Sequence, residues 1–138
     1  RHNTNKAEAQ KNLSVGAVFL ASNSSDIGVV VTSSGLQYKV LNQGEGQIKP
    51  LVSSKVKVHY HGTLLDGTVF DSSVDRGQPI SFSLKQVISG WTEGIQLMVV
   101  GDKYRFYIPA NLAYGNRATG KIAAGSLLIF DVELLAIN

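Results

Sequence analysis

The feature that most constrains the fold is a period-two alternation of apolar and polar residues from Lys55 to Leu64. The alternate positions divide into an apolar face of Val56, Val58 and Tyr60 and a polar face of Lys55, Lys57, His59 and His61. Because successive side chains of a strand point to opposite faces, this pattern predicts a strand that is buried on one face only. Such a strand needs partners in a sheet and a cover for its apolar face.

Further strands are predicted on both sides of this one. The same alternation, or a short return from a turn, recurs in residues 36–41, 68–70, 80–84, 103–108 and 127–137. Asp66-Gly67 is a strong signal for a hairpin turn. Helical spacing is found in residues 87–98, through Val87, Ile88, Trp91, Ile95 and Met98. We therefore expect an α+β fold in which five to six antiparallel strands wrap around one short helix near Trp91.

The first part of the chain has a helical pattern instead. The apolar residues at helical spacing in residues 1–22 are Ala9, Leu13, Ala17 and Leu20. A polar run that begins at Ser22 ends the predicted helix. One helix cannot bury its apolar stripe alone, so it lies on the domain, pairs with a partner chain, or is the stub of a longer arm. We divide the chain into an N-terminal helix and linker, residues 1–34, and a globular domain, residues 35–138.

Composition and charge exclude several classes of protein. Hydrophobic residues make up 43% and charged residues 17% of the chain, which excludes a disordered protein. No apolar run reaches the roughly 18–20 residues of a membrane-spanning helix, so we expect no membrane span. The absence of cysteine excludes disulfides and thiolate catalysis. The net charge is +3 with Lys and Arg scattered along the chain, so we expect no nucleic-acid partner.

Motifs for covalent or metal chemistry are lacking in the sequence. It contains no G-x-S-x-G, no phosphate-binding glycine loop and no H-E-x-x-H. His59 and His61 could bind a metal, but no third ligand is evident nearby, so two solvent-facing histidines are favoured. Asp131 and Glu133 share a strand face, and the alternation favours solvent exposure over a catalytic pair of carboxylates. We expect no metal and no cofactor.

The aromatic residues are the remaining candidates for a site. They are Tyr60, Phe70, Phe82, Trp91, Phe106, Tyr114 and Phe130. Composition alone is compatible with an ordinary aromatic core. The order of local motifs points further: VHYHG at 58–62, DGTVFDSS at 66–73, VISGW at 87–91, IPANLAYG at 108–115 and LIFDVEL at 128–134. Together these motifs resemble the FK506-binding-protein (FKBP) family of peptidyl-prolyl cis–trans isomerases over about residues 35–138. The residues SGLQY at 34–38 and the helix before them resemble the bacterial macrophage-infectivity-potentiator (Mip) type.

The resemblance implies an isomerase that assists protein folding through an apolar aromatic pocket, without covalent catalysis. It implies catalytic roles for Tyr60, Phe70, Asp71, Tyr114 and Phe130. It implies substrate binding by Arg76, Phe82, Val87, Ile88, Trp91 and Ile122. Trp91 would form the floor of the pocket, and the Ile88 N–H and the Tyr114 hydroxyl would hold substrate carbonyls. Two alternatives stay open: Asp71 and Arg76 form a structural ion pair, and Val87 serves in helix packing.

The resemblance also implies partners and a location. The partners are X-Pro-containing polypeptides, macrolides of the FK506 and rapamycin type, and a second copy of the chain, bound through the N-terminal helix of the full-length protein. The chain starts at Arg1 without a signal peptide, which predicts a processed or truncated N-terminus. The Mip-type arm and the lack of cysteine favour the periplasm or the cell surface, with the cytoplasm as the alternative. Two other functions compete: a binding module that uses the same pocket without turnover, and a mildly basic protein that binds nucleic acid or a surface.

Overall fold

The alternating segments form one antiparallel sheet in a computed structural model that describes residues 2–115 and 122–137. Its strands within these residues are β1 Val29–Val31, β2 Gln37–Asn42, β3 Lys55–Thr63, β4 Val69–Ser72, β5 Ile80–Ser83, β6 Lys103–Ile108 and β7 Leu128–Ile137. The strand order is β1-β2-β6-β7-β3-β4, and β5 also pairs with β3. The predicted α+β fold with an antiparallel sheet is confirmed. The sheet has one strand more than expected, since β1 forms an edge strand in the segment that we assigned to the linker.

The helices of the described residues are α1 His2–Asn23, α2 Ser73–Arg76 and α3 Ser89–Ile95, and residues Ala110–Leu112 form one 3-10 turn. The helix α2 was not predicted. It begins at an N-cap, because the Ser72 hydroxyl accepts a 3.1 Å hydrogen bond from the Asp75 N–H, and it ends at Gly77, whose φ is 76°. The predicted polar loop after Gly115 lies mostly in residues 116–121, outside the described residues. Over the described part of the chain, no helix combines the length and apolar character required to cross a bilayer.

The core lies between α3 and the apolar face of the sheet. Val56 and Val58 of β3 are fully buried there, as the alternation predicts. Gly94 lets α3 approach the sheet closely, because a Cβ at this position would lie 2.5 Å from the Phe106 ring. This approach brings Trp91, on the first turn of α3, against the rings that β3, β5 and β7 contribute.

The helix α1 lies on the domain, but only part of the predicted apolar stripe faces it: Ala9 is buried. Leu13 of that stripe is 43% exposed. The contacts come instead from one side that includes small and polar residues: Asn12 bonds Ala124, Phe19 lies 5.8 Å from the Tyr107 ring, and Asn23 bonds Gln37. The predicted stripe is right at Ala9 and wrong at Leu13, because the pattern counts only apolar side chains, whereas this helix also docks by hydrogen bonds and close backbone approach.

Candidate active site

A cavity of about 660 Å³ opens between α3, the sheet and the chain before β7. It is lined by Tyr60, Phe70, Asp71, Phe82, Gln86, Val87, Ile88, Ser89, Trp91, Ala113, Tyr114, Ile122 and Phe130. We call it the aromatic cavity. Of the site residues expected from the sequence, Arg76 alone is missing from this lining, and it binds two residues that belong to it. Trp91 is only 4% exposed and still contributes to the lining, so the buried core and the cavity share this side chain.

The rings around Trp91 meet it edge to face. The ring centroids of Tyr60, Phe82 and Phe130 lie 5.2, 5.3 and 5.1 Å from the Trp91 ring, at interplanar angles of 78°, 86° and 80°. Such pairs stabilise by about 0.5–1.5 kcal/mol each beyond the burial of area. Because these rings are anchored on three strands and one helix, the apolar floor is fixed before any ligand arrives.

A glycine makes room for the outer rings. Phe70 and Phe130 meet at 5.3 Å and 88° across β3, where Gly62 pairs with Phe130. A Cβ at Gly62 would lie 2.7 Å from Phe70 Cζ and 2.8 Å from Phe130 Cε1. The sequence analysis did not single out Gly62, although a glycine inside a strand pattern is a recognised signal for close approach.

Three polar groups meet beside the rings. The Tyr60 hydroxyl donates a 2.6 Å hydrogen bond to Asp71 Oδ2, and Arg76 Nη1 donates one of 2.5 Å to Asp71 Oδ1. Arg76 Nη2 also donates a 3.0 Å bond to the Tyr60 hydroxyl oxygen. Partial burial raises the pKa of Asp71, but the hydrogen bonds from Tyr60 and Arg76 outweigh it, so this pKa lies below its ordinary value. Asp71 is therefore a carboxylate held in a fixed orientation at neutral pH.

The Tyr60 hydroxyl keeps its proton at neutral pH. Burial raises the pKa of Tyr60 above its ordinary value, and the hydrogen bond to the Asp71 carboxylate raises it further, while Arg76 opposes this. Arg76 is held in its charged form, since the hydrogen bond to Asp71 raises its pKa. The trio thus supplies a fixed ion pair beside the Tyr60 hydroxyl dipole, and neither Tyr60 nor Asp71 has the pKa near 7 that suits proton transfer.

Two hydrogen-bonding groups of the cavity lining determine which ligand groups the cavity can hold. The Ile88 carbonyl accepts from the N–H groups of Trp91 and Thr92 at 3.0 and 3.1 Å and so starts α3. Within the described residues, the Ile88 N–H and the Tyr114 hydroxyl have no hydrogen-bond partner. Both residues line the aromatic cavity, so a ligand carbonyl can be held there.

Three lining residues, Gln86, Ser89 and Ala113, were not expected from the sequence. Each is next to an expected site residue in the chain, which was the available signal. Polar Gln86 and Ser89 flank the apolar pair Val87 and Ile88. The cavity therefore has a short polar border at the start of α3.

The other candidate groups lie elsewhere. His59 Nδ1 and His61 Nδ1 lie 2.9 and 2.8 Å from the hydroxyls of Ser73 and Ser72. In the described part of the chain, no group of three or more His, Cys, Asp or Glu residues is placed to hold a metal. Asp131 accepts hydrogen bonds of 2.7 and 3.0 Å from Arg105, so it is paired with a cation rather than free on the solvent face.

Known proteins match both parts of the chain. The family model of the FKBP-type peptidyl-prolyl cis-trans isomerase matches residues 46–135, and that of the domain amino terminal to it matches residues 1–40. The FKBP-type peptidyl-prolyl cis-trans isomerase FkpA of Aeromonas hydrophila is 56% identical over 95% of this chain and 48% of its own length. The outer membrane protein MIP of Legionella longbeachae is 47% identical over 95% of this chain and 56% of its own length.

A solved structure agrees with these matches. The crystal structure of FkpA from Escherichia coli superposes with a TM-score of 0.94 at 40% identity, covering 99% of this chain and 64% of the other. The chain spans about half the length of the curated relatives described above. The resemblance to the Mip type is confirmed at the level of sequence, and the chain belongs to the FKBP-type peptidyl-prolyl cis-trans isomerase family.

Proposed function

We propose that this chain catalyses the cis–trans isomerisation of X-Pro peptide bonds and thereby assists protein folding. The observation that carries the proposal is the aromatic cavity, whose floor is Trp91 and whose side holds the Tyr60–Asp71 pair. Membership of the isomerase family supports it. The relevant substrate is a polypeptide with a proline in an accessible segment.

The proposed mechanism lowers a rotational barrier and breaks no covalent bond. The barrier of about 18–20 kcal/mol comes from the partial double bond of the amide. The twisted transition state has lost this resonance and is less dipolar than the planar amide. A dry apolar site therefore favours the transition state over the ground state. Trp91 would carry the proline ring, and Tyr60, Phe70 and Phe130 would form walls around it.

Polar groups would orient the substrate in this site. The Ile88 N–H and the Tyr114 hydroxyl would hold substrate carbonyls, which is supported by their lack of other partners within the described residues. Asp71 would polarise the site without transferring a proton, which is supported by its lowered pKa. Arg76 would orient Asp71. The side chains of Phe82, Val87 and Ile122 would complete the apolar lining.

The alternative for Asp71 and Arg76 is a purely structural ion pair. Their side chains are 44% and 48% exposed. Exposed pairs of this kind contribute only about 0–1 kcal/mol to stability. An ion pair with a structural role alone would thus add little to the stability of the fold. A carboxylate oriented at the side of an apolar cavity, by contrast, suits the proposed mechanism.

Further parts of the proposal concern ligands and partners. Macrolides of the FK506 and rapamycin type are proposed as ligands of the aromatic cavity, because its apolar floor and its hydrogen-bond donors suit a proline-like amide. A homodimer through the N-terminal helix of the full-length protein is also proposed. On α1, Leu13 and Val18 are 43% and 72% exposed, which supports a partner for this helix.

The location and the division of the chain are proposals too. We propose the periplasm or the cell surface, supported by the Mip-type arm and by the absence of cysteine, with the cytoplasm as the alternative. The division into residues 1–34 and 35–138 also stays a prediction. The match to the amino-terminal family model ends at residue 40, and the match to the isomerase family model begins at residue 46.

A protease-coupled assay with an X-Pro peptide tests the proposed activity. Uncatalysed isomerisation takes tens to hundreds of seconds, so catalysis is separated clearly from background. We expect acceleration that a macrolide of the FK506 type inhibits. Peptide binding without acceleration would favour the binding module instead.

A further inference from the structure

The helix α1 contacts the segment that begins at Ile122, a residue that lines the aromatic cavity. We call residues 122–127 the wall segment. Asn12 Nδ2 donates a 2.8 Å hydrogen bond to the carbonyl oxygen of Ala124. Ala9 and Ala124 are both buried. The contact therefore joins the N-terminal helix to a part of the domain that is more than one hundred residues away in the chain.

Close backbone approach reinforces this hydrogen bond. Gly125 has a φ of 75°, and a Cβ added there would overlap the carbonyl group of Ala9. A Cβ at Gly16, further along α1, would lie 3.4 Å from Leu127 Cβ. The wall segment and α1 thus fit together without intervening side chains at Gly125.

The first residue of the wall segment belongs to the cavity lining. Ile122 is 5% exposed, lines the aromatic cavity and packs in the same cluster as Trp91 and Phe130. Only two residues separate Ile122 from Gly125. The Gly125 N–H donates a 2.8 Å bond to the Gly115 carbonyl, one residue after Tyr114, which also lines the cavity. A shift of this segment away from α1 would move both walls.

We infer that Asn12 is a positioning residue, which holds the wall segment through Ala124 and so sets the affinity of the aromatic cavity for proline-containing ligands. The inference rests on the proposed function. Tyr60, Asp71 and Phe130 lie on strands whose ladders do not involve α1. Loss of the Asn12 contact therefore weakens ligand binding more than it slows the isomerisation step, in which Tyr114 alone of the proposed catalytic side chains adjoins the shifted segment.

Two matched variants test this role. Asn12→Asp replaces the donor to the Ala124 carbonyl by a carboxylate oxygen of nearly the same size. Gln10→Glu makes the same chemical change at an exposed position of the same helix. The chain contains one tryptophan, Trp91, so its fluorescence reports the binding of an X-Pro peptide without any need for turnover.

We expect the dissociation constant of the peptide to rise about threefold or more in Asn12→Asp and to stay unchanged in Gln10→Glu. A net hydrogen bond of ordinary strength corresponds to a factor of roughly 2–13 in an equilibrium constant. KM should rise by a larger factor than kcat falls. Amide hydrogen exchange at residues 122–125 should be faster in Asn12→Asp than in the wild-type chain and should stay unchanged in Gln10→Glu.

Gly125→Ala is the second disruption, because its added Cβ would overlap Ala9 from the other side of the contact. It should weaken binding in the same way. Equal dissociation constants in Asn12→Asp and Gln10→Glu would overturn the inference, even if the two variants differed in amide hydrogen exchange at residues 122–125. Weaker binding by Asn12→Asp in a chain that shows no turnover would support the inference and contradict the proposed function.

Discussion

The Tyr60 hydroxyl donates a 2.6 Å hydrogen bond to Asp71 Oδ2 and so joins β3 to β4 where both residues line the aromatic cavity. Tyr60 also meets the Trp91 ring edge-on at 5.2 Å. One side chain thus contributes a ring to the apolar lining and a donor to the carboxylate. Because Arg76 approaches the same carboxylate from its other oxygen, Asp71 is oriented from two sides.

Removal of the Tyr60 hydroxyl should lower activity while the ring is kept. In Tyr60→Phe, Asp71 loses one of its two side-chain donors, and we expect kcat/KM for an X-Pro peptide to fall about tenfold. A hydrogen bond to a charged group contributes about 1.5 kcal/mol or more, which corresponds to this factor. Tyr104→Phe is the control, since Tyr104 stacks on Tyr38 and does not line the cavity. Equal activity of the two variants would refute the role of the hydroxyl.

Removal of the Asp71 charge should separate function from stability. We expect Asp71→Leu to lower kcat/KM at least about tenfold, because the polarising carboxylate is lost. The free energy of unfolding should change by less than about 1 kcal/mol, since the pair with Arg76 is exposed. Asp75→Leu, on the exposed side of α2, is the matched control. If activity survives in Asp71→Leu, the Asp71–Arg76 pair is structural only.

Truncation of the Phe70 ring should remove a wall of the cavity. Phe70 is only partly buried, so Phe70→Ala should cost less than the about 3–5 kcal/mol typical of a fully buried phenylalanine. We expect kcat/KM to fall at least about tenfold in the folded protein. Phe106→Leu is the comparison, because Phe106 is fully buried and does not line the cavity. It should lower the free energy of unfolding and leave kcat/KM intact. Full activity in Phe70→Ala together with loss of activity in Phe106→Leu would place the site elsewhere.

The pH dependence of activity should be flat around neutrality with respect to Asp71 and Tyr60. The pKa of Asp71 lies below its ordinary 3.8. Its contribution to the stability of the folded chain is therefore present above pH 3.8 and is lost as the pH falls through the lower pKa of the folded state. The pKa of Tyr60 lies above its ordinary 10.0, so its contribution is present below pH 10.0 and is lost as the pH rises through the higher folded pKa.

Titration of kcat/KM checks this expectation. Both groups keep one protonation state between those limits, so Asp71→Leu and the wild-type chain should have profiles of the same shape around neutrality. An inflection near pH 7 that disappears in Asp71→Leu would show that this carboxyl titrates during the reaction.

Much of the sheet was predictable from local pattern. Val56 and Val58 alternate with polar neighbours, and both are fully buried. The edge strand β1 was not predicted, because three consecutive valines carry no alternation and the strand depends on pairing with β2. The short α2 was missed for a related reason, since it depends on one cap at Ser72. Neither element has enough residues to give a periodic signal.

Sequence motifs, rather than hydrophobic periodicity, indicated the site. Eight of the ten expected residues that line the cavity lie in the five motifs, whereas Phe82 and Ile122 lie outside them and were expected from the resemblance alone. Whether these residues bind and turn over a substrate stays a prediction. The docking of α1 through Asn12 and Gly16 lay beyond pattern analysis, because hydrophobic periodicity does not record close backbone approach. A glycine inside a helical pattern predicts a weaker helix, whereas here Gly16 is buried beside Leu127.

The most direct test of the central claim is the isomerisation rate of an X-Pro peptide, measured by exchange NMR with the wild-type chain in H₂O and in D₂O. If the cavity lowers the barrier through its apolar environment and fixed dipoles, exchange is far faster than without the chain and proceeds at the same rate in both solvents. No acceleration, or a markedly slower catalysed rate in D₂O, would contradict the account, because the latter would mean that a proton moves in the transition state.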